Sequence, residues 1–130
     1  MRLIGLDPGL RLTGWGVIDV DGNRLSHVAH GVVRVASSAP LAERLRELFD
    51  GVAAIVEAQR PAEAAVEETF VNVNPGSTLK LGQARGVVLL APARAGLPVF
   101  EYAANLVKKS VTGVGHADKR DRDGLSGGRR

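Results

Sequence analysis

The chain contains no cysteine. Disulfide bridges and thiolate-ligated metal sites are therefore excluded. It also lacks any apolar run approaching the roughly 18 residues that a membrane span needs. The N-terminus does not read as a signal peptide, because Asp7 and Arg11 interrupt any apolar core. No internal repeat is visible. These absences lead us to expect a cytoplasmic protein that does not use membranes. What is present is ordinary for one globular domain: 130 residues, 45% apolar and 24% charged, enough for a single hydrophobic core.

The net charge of +3 is unevenly placed. Residues 1–100 hold ten Lys/Arg and ten Asp/Glu, whereas residues 101–130 hold seven against four. The excess positive charge lies in the last thirty residues, which suggests a polyanionic partner.

The chain is organised around Met1–Gly16, MRLIGLDPGLRLTGWG. An apolar run from Leu3 to Leu6 delivers Asp7 into Pro8-Gly9, which reads as a buried strand ending in a carboxylate at a tight turn. Spacing alone leaves Asp7 open to two readings, a turn cap or a ligand for a cation. Thr13–Asp19 and Leu25–Val35 read as further strands, with Asp21-Gly22-Asn23 as a hairpin turn between them. Three strands on short links imply an antiparallel meander. Ser37-Ser38-Ala39-Pro40 opens a helix, and Leu41, Leu45, Leu48, Phe49, Val52, Ile55 and Val56 carry its apolar spacing to Arg60-Pro61. Ala62–Val66 reads as a fourth strand ending in Glu67-Glu68, a second strand-to-carboxylate junction. Val71–Gly76 reads as a loop. Ser77 is the expected cap of a second helix reaching about Ala95, with Leu79, Val87, Val88 and Leu90 as core candidates and Pro92 expected to kink or shorten it. Pro98–Tyr102 reads as a fifth strand and Ala103–Val111 as a third helix.

This order predicts an α/β domain with a mixed five-stranded sheet, three antiparallel strands then two parallel ones, flanked by helices. If strands one and four lie side by side and parallel, Asp7 and Glu67 emerge at the same sheet edge, where ligands of such sheets collect. Two carboxylates there suit Mg²⁺, a cation that prefers oxygen ligands. Two-metal hydrolysis of a phosphodiester would require one or two more carboxylates from elsewhere.

Four blocks, Gly5–Gly16 (GLDPGLRLTGWG), Ala65–Phe70 (AVEETF), Leu79–Gly86 (LKLGQARG) and Pro98–Tyr102 (PVFEY), resemble the RuvC family of crossover junction endodeoxyribonucleases. The resemblance runs in register from Met1 to about Lys119. It implies a ribonuclease H-like fold over residues 1–119 and paired nicking of four-way DNA junctions in recombination and repair. It also implies a homodimer, Mg²⁺ (two ions in an intact site), and cooperation with a branch-migration helicase complex. Position by position, Asp7 and Glu67 match catalytic metal-binding carboxylates. Glu68 should point to the opposite face. Phe70 matches an aromatic that stacks on junction bases, and Lys108 and Lys119 match basic residues that approach DNA. Lys80 and Arg85 could touch phosphate, and Gln83 could hydrogen-bond. His27 and His30 show no clear metal spacing and receive no role, and His116 lies near the expected DNA edge.

After Lys119 the pattern departs from the family. Family members continue into a helix that carries the remaining acidic ligands. Here Asp121 and Asp123 stand among arginines and glycines without helical periodicity. We expect residues 120–130 to be a disordered basic tail and the nuclease domain to lack its last helix, as a replaced or truncated end would. A catalytically incomplete protein that still grips branched DNA is thus the alternative expectation. A nucleotide-binding domain ranks third.

Overall fold

The computed structural model describes residues 1–68 and 74–103. Within them the chain forms β1 (Arg2–Asp7), β2 (Leu12–Asp21), β3 (Arg24–Arg34), α1 (Leu41–Gln59), β4 (Glu63–Glu67), α2 (Pro75–Arg94) and β5 (Val99–Tyr102). The strands make one five-stranded sheet in the order β3-β2-β1-β4-β5. The pairs β1–β2 and β2–β3 are antiparallel, and β1–β4 and β4–β5 are parallel. This is the expected mixed sheet. The expected third helix, Ala103–Val111, and the tail lie outside the described residues apart from Ala103, which belongs to no element.

The sheet is sided. In β1 the residues Ile4 and Leu6 are buried, as are Ala64 and Val66 in β4, and Val17 in β2 faces the same way. Together they meet Leu48, Val52 and Val56 of α1 and Ala84, Val88 and Ala91 of α2 in one core cluster. Because strand side chains alternate, Leu3, Gly5 and Asp7 face the other way, with Ala65, Glu67, Gly14 and Gly16. No described helix packs on that second face, and we call it the open face.

The β2–β3 link is a two-residue turn, Gly22-Asn23, with Gly22 at φ 63°, a conformation glycine adopts without a Cβ penalty. Farther along the pair, the register shifts between Val17 and Ile18: Val17 opposes Ala29, but Ile18 opposes His27. One extra residue, Val28, is accommodated as a β-bulge.

Helix α1 begins at Leu41 behind Pro40, with no side-chain cap, so the serines before it do not serve as predicted. It ends at Arg60, whose φ and ψ of 54° are left-handed, directly before Pro61. Helix α2 starts earlier than expected, at Pro75. Asn74 caps it: its Oδ1 accepts from the backbone N–H of Gly76 (2.9 Å) and Ser77 (3.2 Å). Ser77 is thus inside the first turn, where Asn74 receives its N–H instead. The helix also runs on through the buried Pro92 to Arg94. Pro92 lacks the N–H that would bond the Val88 carbonyl, so the helix gives up one bond there and ends two residues later.

Two of the four core residues expected on α2 are misplaced. Val88 is fully buried and Val87 packs beside the core, but Leu79 is 64% exposed and Leu90 53% exposed. The helix is apolar on two sides, and only the side with Ala84, Val88 and Ala91 meets the sheet.

Candidate functional site

Strand β1 lies at the centre of the sheet, paired with β2 on one side and β4 on the other. Its register with β4 ends on the pair Leu6↔Val66. Asp7 and Glu67 are the next residues of these two parallel strands, so both carboxylates leave the carboxyl edge from neighbouring positions and on the open face. The expectation that strands one and four are adjacent and parallel holds, and the chain brings its two strand-end acids together. Glu67 is half-buried and Asp7 exposed.

A glycine stands beside Asp7 on β2. Gly14 is its cross-strand partner, and a Cβ built on Gly14 would lie 3.9 Å from the Asp7 Cβ. Gly14 therefore adds no side chain of its own beside the carboxylate. The turn that follows is tight: a Cβ on Gly9 would come within 2.2 Å of the Leu12 carbonyl oxygen. Backbone atoms cannot yield to such a contact, so only glycine fits there. The turn thereby folds back close after Asp7 and brings Leu12 into β2.

Glu68 lies one residue past the end of β4 and is exposed. Its backbone N–H donates to the Tyr102 carbonyl (2.6 Å), which extends the pairing of β4 with β5 by one bond. Among the described residues no group of three or more His, Cys, Asp or Glu is gathered as a metal cage. Asp7 and Glu67 supply hard oxygen donors of the kind Mg²⁺ selects, and Mg²⁺ ordinarily completes its shell with water and substrate oxygens. In kind, then, the donors fit; in number they provide part of a two-ion site.

The cations expected to touch DNA are distributed unevenly. Lys80 is exposed on the first half of α2 and borders a groove between α2, α1 and the turn after Asp7. Arg85 does not stand open. Its Nη2 donates to Glu101 of β5, and its side chain is only 18% exposed. The reason is topological: Arg85 lies on the side of α2 that covers the sheet, and Glu101 lies on the helix-covered side of β5 beside Val99. Gln83 is half-buried. Phe70, Lys108, His116 and Lys119 lie outside the described residues.

The histidines given no role in the sequence do meet. The bulge at Val28 puts His27 and His30 on one side of β3, with His27 Nε2 and His30 Nδ1 at hydrogen-bond distance, 2.9 Å. Sequence reasoning also passed over Arg44. The signal was present, because Leu41, Arg44, Leu45 and Leu48 share one helical stripe, and an arginine on an apolar stripe is unusual.

Comparison with known proteins gives a consistent result. The family model described as "Crossover junction endodeoxyribonuclease RuvC" matches residues 3–125. The crossover junction endodeoxyribonuclease RuvC of Paramagnetospirillum magneticum is 68% identical over 119 residues, covering 92% of this chain and 72% of the relative. Among solved structures, Thermus thermophilus RuvC in complex with a Holliday junction substrate superposes with a TM-score of 0.75 at 32% identity, covering 84% of this chain and 68% of the other. A yeast mitochondrial Holliday junction resolvase, 10% identical, has a TM-score of 0.58 over 78% of this chain and 50% of its own, which is a likeness of fold.

Proposed function

The chain belongs to the RuvC family of crossover junction endodeoxyribonucleases, and from that premise we propose that it is a Mg²⁺-dependent nuclease that nicks four-way DNA junctions in recombination and repair. The observation that carries the proposal is the placing of Asp7 and Glu67 one step past Leu6↔Val66 on adjacent parallel strands, with the glycine-lined open face beside them.

In this reading Asp7 and Glu67 hold the metal through their carboxylate oxygens. Bound Mg²⁺ supplies Lewis acidity, which makes a water more nucleophilic and eases departure of the leaving oxygen. The chain's own contribution is position. The central strand β1 is hydrogen-bonded on both edges, so Asp7 is fixed along the sheet. The neighbouring Glu67 is tied to it through the β1–β4 ladder. The tight turn at Gly9 directs the chain after Asp7 back into β2. Phosphodiester hydrolysis joins the water oxygen to phosphorus, breaks one phosphorus–oxygen ester bond, and leaves the water proton on the departing oxygen or on solvent. Phe70, Lys108 and Lys119 complete this reading as DNA contacts, within a nuclease domain of residues 1–119.

Paired nicks need two sites. The exposed side of α2 supports a homodimer: Leu79, Gly82, Gly86 and Leu90 share one stripe, and a Cβ at either glycine would meet nothing within 4 Å. Small residues flanked by leucines allow two helices to approach closely. A branch-migration helicase complex and a cytoplasmic setting accompany the reading.

The test is nicking of a synthetic four-way junction in Mg²⁺. Asp7→Asn and Glu67→Gln should each reduce nicking about 100-fold or more, because losing a metal ligand removes several kcal/mol of transition-state stabilisation. Junction binding should persist in both variants. Nicking by Asp7→Asn at the parental rate would overturn the assignment.

A further inference from the structure

We propose that Arg44 and Lys80 form a phosphate-holding site that grips the DNA backbone beside the Asp7 turn. The inference deepens the nuclease reading and rests on it. Strands β1 and β3 both run antiparallel to β2, so they end at the same edge of the sheet. The Asp7 turn, the end of β3 and the start of α1 are therefore neighbours. The Val35 N–H donates to the Arg11 carbonyl (3.2 Å) and ties two of these segments together.

Between them lies a small groove lined by Leu10, Val35, Leu41, Leu45, Leu48 and Ala84, with Arg44 and Lys80 as its two cations. Leu10 stands three residues past Asp7. Among the described residues the Arg44 Nε, like the Arg85 Nε, is closed off from solvent and has no hydrogen-bond partner. A buried donor on a charged group costs more to leave unmade than a neutral one. Neither Arg44 nor Lys80 is ion-paired among the described residues, in contrast to Arg85 one helical turn farther on, which Glu101 holds.

A phosphodiester answers these features. Its anionic oxygens accept from the planar guanidinium fork of Arg44, and Lys80 adds a mobile point charge at the rim. The apolar lining excludes water and strengthens the interaction. The location suits such a ligand, because Leu10 of the groove belongs to the turn that follows Asp7. Arg44 and Lys80 thus position the substrate and take no part in the bond-breaking step.

The experiment is equilibrium binding of a synthetic four-way junction across a salt series, in Ca²⁺ to suppress cleavage. Arg44→Met keeps the stem volume and removes the charge. It should weaken binding about 10-fold and lower the salt-dependence slope by about 0.9. Lys80→Ala, at an exposed position that folding does not need, should lower the slope by a similar amount. Arg46→Ala, exposed elsewhere on α1, should leave it less affected than either. Parental slopes in Arg44→Met and Lys80→Ala would overturn this inference and leave the nuclease reading intact. Absence of DNA binding by the parent protein would overturn both. If Arg44→Met fails to fold, Lys80→Ala alone decides.

Discussion

Among the described residues, a two-pronged ion pair lies at the far end of β1 from Asp7. Arg2 Nε donates to Asp19 Oδ1 (2.9 Å) and Nη2 to Oδ2 (3.1 Å), while Nη1 reaches the Gln59 carbonyl at the end of α1 (2.9 Å). One guanidinium thereby joins β1, β2 and α1 in a two-pronged geometry that lysine could not reproduce. The hydrogen bond from Arg2 holds the Asp19 carboxyl below its ordinary value of 3.8, and the Arg2 charge adds to the effect. A depressed folded-state value stabilises the fold above the ordinary carboxylate range. That stabilisation is lost as pH falls through the folded value, below about pH 4. Asp19→Asn should therefore lower the melting temperature at neutral pH and change little in strong acid, so that the drop on acidification below about pH 4 is reduced. An unaltered acid profile would show that the pair contributes nothing. Asp7 and Arg44 show how much of a residue's placement can be read in advance. Asp7 was legible because a strand, a carboxylate and Pro-Gly are contiguous. The burial of Arg44 Nε depends on α2 and on the turn after β1, which no local pattern reports.

At the scale of elements, α1 and β3 meet with little room to spare. A Cβ on Gly51 would fall 2.7 Å from Val33 Cγ1. Glycine inside a helix costs about 1 kcal/mol relative to alanine, so Gly51→Ala gains that much propensity. Overpacking against the stiff valine costs about 1–3 kcal/mol and should outweigh the gain. We expect Gly51→Ala to lose about 1 kcal/mol in urea unfolding. Combined with Val33→Ala, it should be less harmful than the two single changes added, by about 1 kcal/mol. Additive values would refute the contact. The helices also mark where sequence patterns carry information. Helix α1 was legible because its apolar residues fall on one stripe. In α2, Leu79 and Leu90 have the same spacing as core residues and face outward, and periodicity cannot tell a core from a second apolar surface. The cap at Asn74 was missed because two polar residues, Asn74 and Ser77, both suit the role; Pro75 at the first helical position favours the earlier one. Arg85 was assigned to DNA because its residue type suits phosphate; its partner Glu101 is sixteen residues away in sequence and adjacent only through the α2–β5 crossover.

For the molecule as a whole, the outward stripe of α2 is the surface on which the proposed homodimer rests. A two-fold interface buries each side chain twice. Burying one exposed leucine contributes about 1.5–3 kcal/mol, so Leu90→Glu should weaken a homodimer by more than about 100-fold in dissociation constant. Sedimentation should show monomers at concentrations where the parent is dimeric, with the monomer's melting behaviour retained because Leu90 is outside the core. A variant that stays dimeric would place the interface elsewhere.

The central place of β1 has a further consequence during synthesis. The strand emerges from the ribosome before the other described strands, and β2 and β3 follow directly, so the meander can pair early. Its other edge receives β4 only when residues 63–66 appear. At about 5–20 residues per second that interval lasts roughly 3–12 s. Until then, the edge that will set Asp7 beside Glu67 offers unpaired backbone groups to any passing strand. The nascent chain is thus most open to mispairing along the strand that carries its principal carboxylate.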